Sequence, residues 1–255
     1  MAKYVGLDWA SKGWFGVIMT DRGEPTTDLF PSIWSVWKYH SDASRILVDI
    51  PIGLPSDARR ACDLKAKAVL GNRQRSVFYT PTRNAVYQQT LEEAKAENQA
   101  KAGYSIQNQA WSIVPRIREV DEFLDTYPSA QGRVRETHPE VCFYALNGRK
   151  ALERGKKTDE GIRQRKELLA EEHPRAMSVY DRAVERYTRP SYAPMVSGTD
   201  DIFDALVAAV TATREAKTLS SLPQGPVPTD DRDLPMEIVY PSDTRQRRLS
   251  AESFE

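Results

Sequence analysis

The sequence is poor in cysteine and histidine and has no long apolar run. Two of its 255 residues are cysteines and three are histidines. Cys62 and Cys142 lie far apart and form no Cys-x-x-Cys motif, so they predict reduced, packed thiols rather than a disulfide framework. The histidines lack the spacing of zinc ligands, which argues against a zinc site. No stretch of about 18 uncharged apolar residues occurs, so we expect no membrane span.

Neither sign of charge is in excess. Lysine and arginine together number 36, as do aspartate and glutamate. A balanced chain creates no global positive field for nucleic acid, so such contact would need a local basic patch. The apolar content of 40% and the charged content of 28% are ordinary for a folded globular protein. No signal-peptide pattern is visible in the first residues, and we therefore expect a cytoplasmic protein.

The order of hydrophobic patterns in the first part of the chain predicts an α/β fold. Strands are predicted at 4–7, 14–20 and 26–30, which together suggest an antiparallel meander. A helix is predicted over 32–40, and the stretch RILVDIPIGLP that follows begins as a strand buried on both faces. A helix between two buried strands favours a right-handed crossover and hence a partly parallel sheet.

The remaining pattern is mainly helical. One helix is predicted over 56–71, with Ser56 as its N-cap and Gly71 as its stop. Two helices are predicted over 86–126, the second kinked or restarted at Pro115. The rest of the chain is predicted to hold a short strand ending near Pro139, a charged helix over 159–189 broken near Pro174, an apolar helix from Asp200, an edge strand MEIVY and a polar tail.

Acidic residues stand where buried elements end. Asp8 follows the first predicted strand, and Asp49 interrupts the apolar run of the fourth. If these strands are neighbours, both carboxylates lie at one end of the sheet, and their burial is costly unless a cation or hydrogen bonds compensate it. A divalent metal ion is the simplest compensator for several carboxylates. Further acids occupy similar places, namely Glu136 or Glu140 near a strand end and Asp200, Asp201 and Asp204 at the start of the apolar helix.

The same acids also have structural explanations. An aspartate after a strand is often a turn former or a helix cap, and this applies to Asp8. The acids at 200–204 could simply complement a helix dipole. The pattern alone does not choose between Glu136 and Glu140.

Six segments of the chain resemble the DUF429 family of RNase H-like nucleases: YVGLDWASKGWFGVIM, LVDIPIGLP, RRACDLKAKAVLGNRQRSVF, IVPRIREVDEFL, ETHPEVCFYALNG and DDIFDALVAAV. The resemblance implies an RNase H-like α/β fold, with a five-stranded mixed sheet, an antiparallel second strand and helices on both faces. We expect one such domain over 1–240, with a helical insertion at about 57–126 between the fourth and fifth strands, and a polar tail over 241–255.

The resemblance also implies roles for the acids. In the wider superfamily the first strand, the fourth strand and a late helix carry them, and Asp8, Asp49 and the Asp201/Asp204 pair match these places. Glu136 is added as a catalytic candidate from the family-specific segment. Asp8, Asp49, Asp201 and Asp204 would bind Mg²⁺ or Mn²⁺, since hard carboxylate oxygens suit such ions. Asp8 would bridge two metal ions. The predicted reaction is hydrolysis of a nucleic-acid phosphodiester.

A nucleic-acid substrate also requires cations beside the acids. Four arginines are the candidates: Arg59, Arg60, Arg73 and Arg75. Charged residues on the outer face of a helix are usually just solvated, so these arginines could equally be ordinary surface residues without a ligand.

Two other classes of function remain open. One is a non-catalytic protein that keeps the acidic pocket, or a protein that binds a small phosphorylated metabolite in that pocket. The other is an ATPase of the actin or sugar-kinase type. The latter needs glycine-rich phosphate loops, and no such loop occurs around Asp201, which makes it the weaker alternative.

Overall fold

The computed structural model describes residues 2–192, 194–196 and 198–242, and its centre is a five-stranded mixed sheet. Strand β1 (Lys3–Ala10) pairs antiparallel with β2 (Gly13–Thr20), which pairs antiparallel with β3 (Thr26–Phe30). On its other side, β1 pairs in parallel with β4 (Arg45–Val48), and β4 with β5 (Val134–Glu136). The order β3-β2-β1-β4-β5, with the second strand antiparallel, is the arrangement expected of an RNase H-like fold.

Helices cover both faces of this sheet, which explains why β1 and β2 are apolar along most of their length. Helix α1 (Ile33–His40) and the later helix α5 (Asn108–Thr126) pack on one face. Ser32 starts α1 as predicted, because its hydroxyl oxygen accepts the N–H of Ser35. The opposite face packs against helices from the second half of the chain, α9 above all.

Helix α9 (Thr199–Ala212) lies directly on β1, and Gly6 makes this contact possible. A Cβ atom at Gly6 would lie 2.1 Å from the Ala209 nitrogen and 2.2 Å from the Ala205 oxygen. Only a residue without a side chain fits against backbone at that distance. Every residue of α9 from Asp201 onward is buried, as the apolar pattern predicts.

Four helices separate β4 from β5: α2 (Ala61–Leu70), α3 (Arg83–Val86), α4 (Leu91–Ala102) and α5. The prediction that a helix starts at Ser56 is wrong, because the Ser56 hydroxyl donates to Asp231 and α2 begins five residues later. Gly71 ends α2 as expected, with φ of 50°. Pro115 neither breaks nor restarts the helix and lies on the exposed side of a continuous α5.

The last part of the chain forms α6 (Pro139–Leu146), α7 (Asp159–Glu172), α8 (Ala176–Tyr187), α9 and two strands, β6 (Leu219–Leu222) and β7 (Ile238–Pro241). The predicted break near Pro174 therefore separates α7 from α8. The predicted strand MEIVY forms only from Ile238 onward, as β7, and it pairs with β6 in a separate two-stranded sheet. The predicted tail lies outside the described residues from 243 onward. No helix in the described part of the chain is long and apolar enough to cross a membrane.

Candidate active site at the carboxyl edge of the sheet

Asp8 and Asp49 lie side by side at the carboxyl edge of the sheet. Asp8 is near the end of β1, and Asp49 follows β4 directly, with its N–H donated to the Leu7 carbonyl at 3.0 Å. Because β1 and β4 are parallel neighbours, their carboxyl ends meet, as the sequence predicts. Side chains alternate along a strand, so Asp8 shares the face of Gly6 and points to the side on which α9 packs.

Helix α9 brings Asp204 to the same place. Asp8 and Asp204 are buried, with 9% and 6% of their surfaces exposed. Together with the partly buried Asp49 they line one cavity of about 320 Å³. Asp201 is also buried, at 7%, but Asp204 is the α9 acid that lines the cavity in the described part of the chain.

The buried carboxylates repel one another, and this changes their pKa values. Burial, followed by the charges of Asp204, Asp49 and Asp201, raises the pKa of Asp8 well above its ordinary value. Burial also raises the pKa of Asp49 to about 6, although His138 opposes the effect. The three acids are therefore close enough to disfavour full ionisation without a nearby cation.

Lys156 supplies positive charge to this group, and the sequence analysis missed it. Its Nζ lies 2.6 Å from Asp204 Oδ2 and 3.5 Å from Asp200 Oδ2. Although burial alone would lower it, the pKa of Lys156 is raised, chiefly by Asp204. Lys156 lies in the loop between α6 and α7, where no motif of the sequence marks it as special.

Among the glutamates left open by the sequence, Glu140 belongs with the acids. It is buried in the first turn of α6 and lines the cavity. Arg165 donates to its Oε1, while its buried Oε2 has no hydrogen-bond partner within the described part of the chain. The negative charge of Glu140 also contributes to raising the pKa of Asp204, after burial.

Glu136 is instead held by Arg60. The two guanidinium Nη atoms donate to the two Glu136 oxygens at 2.7 and 2.8 Å, and the Ile52 N–H donates at 2.7 Å. Arg60 also bonds Asp63 at 2.6 Å, and its side chain is only 1% exposed. Although burial acts in the opposite direction, Asp63 and Glu136 hold the pKa of the Arg60 guanidinium well above its ordinary value. Both Glu136 and Arg60 line the same cavity, but in this arrangement their charges pair with each other.

Comparison with protein families adds one result. The model of a family described as "Protein of unknown function (DUF429)" matches residues 6–227. The chain belongs to the DUF429 family. Searches of curated proteins and of solved structures found no match.

The basic residues of this DUF429 protein differ in their access to the acidic cavity. Arg73 lines it and lies 3.6 Å from Glu140. Arg59 stacks on the Tyr79 ring, with 4.3 Å from its guanidinium carbon to the ring centre. Arg75 is exposed on the turn after α2. Arg60 also lines the cavity, but it is buried and its guanidinium is paired with Glu136 and Asp63.

The donor set of the cavity suits a divalent cation, although its side chains do not form a ready cage. Among residues 2–192, 194–196 and 198–242, no three Asp, Glu, His or Cys side chains are arranged as a metal site. Asp8, Asp49 and Asp204 nonetheless offer hard oxygens to one cavity, and Glu140 adds an unpartnered buried oxygen. Metal binding at this DUF429 site would therefore require the carboxylates to turn toward a shared ion, and Asp204 already bonds Lys156 through Oδ2.

Proposed function

We propose that this protein is a divalent-metal-dependent nuclease that hydrolyses phosphodiester bonds at the cavity lined by Asp8, Asp49 and Asp204. The observation that carries the proposal is the convergence of these three carboxylates at the carboxyl edge of an RNase H-like sheet. A charge cluster of this kind costs stability, which is characteristic of a site kept for chemistry rather than for folding.

Asp8, Asp49 and Asp204 are the residues that would hold Mg²⁺ or Mn²⁺, with Glu140 within the same cavity wall. Asp201, one turn before Asp204 on α9, adds negative charge behind them. When bound, the metal supplies Lewis-acid stabilisation of phosphate oxygens and acidifies a water molecule.

Three other side chains have positions that suit the same reaction. Lys156 carries a positive charge that can move from Asp204 to a phosphate oxygen of the substrate. Arg73 offers a second cation at the cavity wall. His138 lines the cavity, and its buried Nδ1 has no hydrogen-bond partner among the described residues, so this nitrogen can bond a substrate.

Positively charged side chains outside the cavity favour a nucleic-acid substrate. Arg59 and Arg75 lie on the exposed side of the helical segment that follows β4, and Arg73 joins them to the acids. Such a track neutralises phosphates on either side of the cleaved one and makes binding dependent on salt.

A small phosphorylated metabolite is the second candidate substrate. The cavity volume of about 320 Å³ lies at the lower end of the range for small-molecule sites. The balanced charge of the chain also creates no strong field for a polymer.

The test is cleavage of labelled single-stranded, duplex, hybrid and junction substrates with Mg²⁺ or Mn²⁺. Wild-type protein is compared with Asp8→Asn and with Asp42→Asn, a matched control because Asp42 is exposed and lies before β4, at the opposite edge of the sheet. We expect Asp8→Asn to lose cleavage by at least a hundredfold and Asp42→Asn to keep it. If the protein turned over only nucleotide or sugar phosphates, the nuclease hypothesis would be wrong and the small phosphorylated metabolite would be the substrate.

A further inference from the structure

The cavity that holds the acids has a second half of opposite character. Its other wall is formed by apolar side chains, among them Trp9, Phe78 and Ile113, all partly exposed. Asp8 and Trp9 are consecutive on β1, so strand alternation sends one toward α9 and the other toward α5. Because both stand at the strand end, they border the same opening.

Trp9 is held rigidly in this wall. The Trp9 and Trp14 rings are nearly perpendicular, with 78° between their planes and 5.4 Å between their centres. The Arg116 guanidinium lies over the Trp9 ring, with its carbon 4.1 Å from the ring centre. An aromatic ring fixed by an edge contact and a cation loses little freedom when a ligand stacks on it.

A buried carboxylate fixes these supports in turn. Arg116 forms an ion pair with Glu119, one turn further along α5. The other oxygen of Glu119 accepts the indole N–H of Trp14 at 3.0 Å and the Ile33 backbone N–H at 2.6 Å. One glutamate thus positions both groups that contact Trp9, which makes Arg116 and Glu119 positioning residues for the ring.

A polar group stands next to the apolar wall. Gln109 lines the cavity one turn before Ile113 on α5 and is exposed. Its amide has both donors and an acceptor, so it can meet the edge of a heteroaromatic ring. The cavity therefore combines a rigid aromatic face, a mixed hydrogen-bonding group and, beyond Asp8, the acids and Lys156.

We infer that the apolar half of the cavity is a subsite for an unpaired nucleobase, stacked on Trp9 beside the phosphate that the acids engage. This inference rests on the proposed function and narrows its substrate to single-stranded or locally opened nucleic acid. A base must leave its duplex neighbours to enter such a pocket, because a base stacked between two others has no face free to contact Trp9. Fully paired duplex is accordingly a poor substrate.

The first test measures binding without any phosphodiester. Thymidine 5′-monophosphate and deoxyribose 5-phosphate, which differ by the base, are titrated against wild-type protein in Mg²⁺ while tryptophan fluorescence is recorded. We expect the nucleotide to bind at least about tenfold more tightly, in line with the value of one base–aromatic stack. Trp9→Ala removes that preference and Trp9→Phe restores most of it.

Trp34→Ala is the matched control, because Trp34 is also partly buried but packs on Phe123 through helix α1. It should keep the nucleotide preference. Thermal unfolding of each variant identifies loss of fold: a Trp9→Ala protein that unfolds at the wild-type temperature and still prefers the nucleotide overturns the subsite. Equal binding of the two phosphates by wild-type protein overturns it as well.

A second test separates the subsite from the nuclease. Labelled single strands with and without one abasic position are cleaved in Mn²⁺, and we expect at least about tenfold slower cleavage at the phosphates beside the missing base. If no strand is cleaved but nucleotide binding depends on Trp9, the nuclease fails and the base subsite stands. If strands are cleaved equally with and without the base, the subsite fails and the nuclease stands.

Discussion

Lys156 Nζ lies 2.6 Å from Asp204 Oδ2, inside the cavity that Asp8 and Asp49 also line. The lysine therefore supplies the positive charge among carboxylates that otherwise repel one another. If the proposed divalent ion binds, it would compete with Lys156 for Asp204, and the two forms of the site would differ in which cation the aspartate faces.

Lys156→Met removes the cation and leaves Asp204 without its ion pair. We expect the free energy of unfolding in chelator to fall by about 1–2 kcal/mol, as for a charged hydrogen bond that is partly exposed. The loss should shrink when Mn²⁺ is added, because the ion replaces the lysine. Urea unfolding with and without Mn²⁺ measures both values.

Lys166→Met is the control for that experiment. Lys166 pairs with Asp181 at 3.9 Å on the surface, where such pairs contribute less than about 1 kcal/mol. Its effect should be small and indifferent to Mn²⁺. An equal loss for Lys156→Met in chelator and in Mn²⁺ contradicts metal binding at Asp204.

Asp49 should make metal-free stability depend on pH. Burial first, with Asp204 next among the raising causes, lifts its folded pKa to about 6 from an ordinary value of 3.8. The folded state then binds a proton more tightly than the unfolded state, so the contribution is full below about pH 4 and is lost as pH rises through 6. Relative to Asp49→Asn, we expect wild-type protein in chelator to lose about 2 kcal/mol between pH 4 and pH 7.

Asp42 should change stability with pH in the opposite direction in the same assay. The Lys3 hydrogen bond lowers its pKa, so its small contribution is present at neutral pH and lost as pH falls. A wild-type pH profile that is indistinguishable from that of Asp49→Asn in chelator would mean that Asp49 is not buried among like charges.

Arg60→Met tests the structural position of the arginine. The change leaves Glu136 and Asp63 as buried carboxylates without their cation, so we expect a loss of about 3–5 kcal/mol in urea unfolding. The double variant Arg60→Met/Glu136→Gln should recover part of it. Arg59→Met, one residue away and exposed, should cost less than about 1 kcal/mol.

The same series decides the role of Glu136. Held by both Arg60 Nη atoms and the Ile52 N–H, it should affect stability more than cleavage when changed to Gln. Glu136→Gln protein with wild-type stability and no cleavage would return Glu136 to the catalytic group.

Local pattern explains what the sequence could predict. The strand runs and the acids at their ends depend on neighbours in the chain, so periodicity predicts where they lie. The sheet order that makes β1 and β4 neighbours, and so brings Asp8 to Asp49, is what the family resemblance implies. The acidic first turns of α9 were visible for the same reason.

Long-range pairing explains what the sequence could not predict. Glu136 meets an arginine 76 positions earlier, and Asp204 meets Lys156, 48 positions earlier, in a loop without a motif. A carboxylate at a strand end looks the same in sequence whether or not a buried arginine pairs with it. Likewise, Ser56 has good N-cap chemistry, but its hydroxyl donates to Asp231, far along the chain.

Gly6→Ala should damage both the fold and the site. The added methyl would meet the α9 backbone at about 2 Å, so α9 has to move away from β1 and carry Asp204 with it. We expect a loss of at least about 3 kcal/mol, since backbone cannot yield as a flexible side chain does. Thermal unfolding and Mn²⁺ binding check the two effects, and wild-type values for both would contradict the close packing described for α9.

The two thiols should be unreactive in the folded protein and so report its unfolding. Cys62 and Cys142 are free and fully buried, and burial raises the pKa of Cys142 to about 11. At pH 8 only about one Cys142 thiol in a thousand is then ionised, and a thiol reagent cannot reach it without opening of the core.

An aromatic disulfide reagent should therefore label native protein only as fast as the protein unfolds. In strong denaturant it should label both cysteines at once. Arg60→Met protein should label faster by about tenfold for each 1.4 kcal/mol of stability lost, since Cys62 lies beside the arginine's partner Asp63. Rapid labelling of either cysteine in stable wild-type protein would show that the packing around α2 or α6 opens locally.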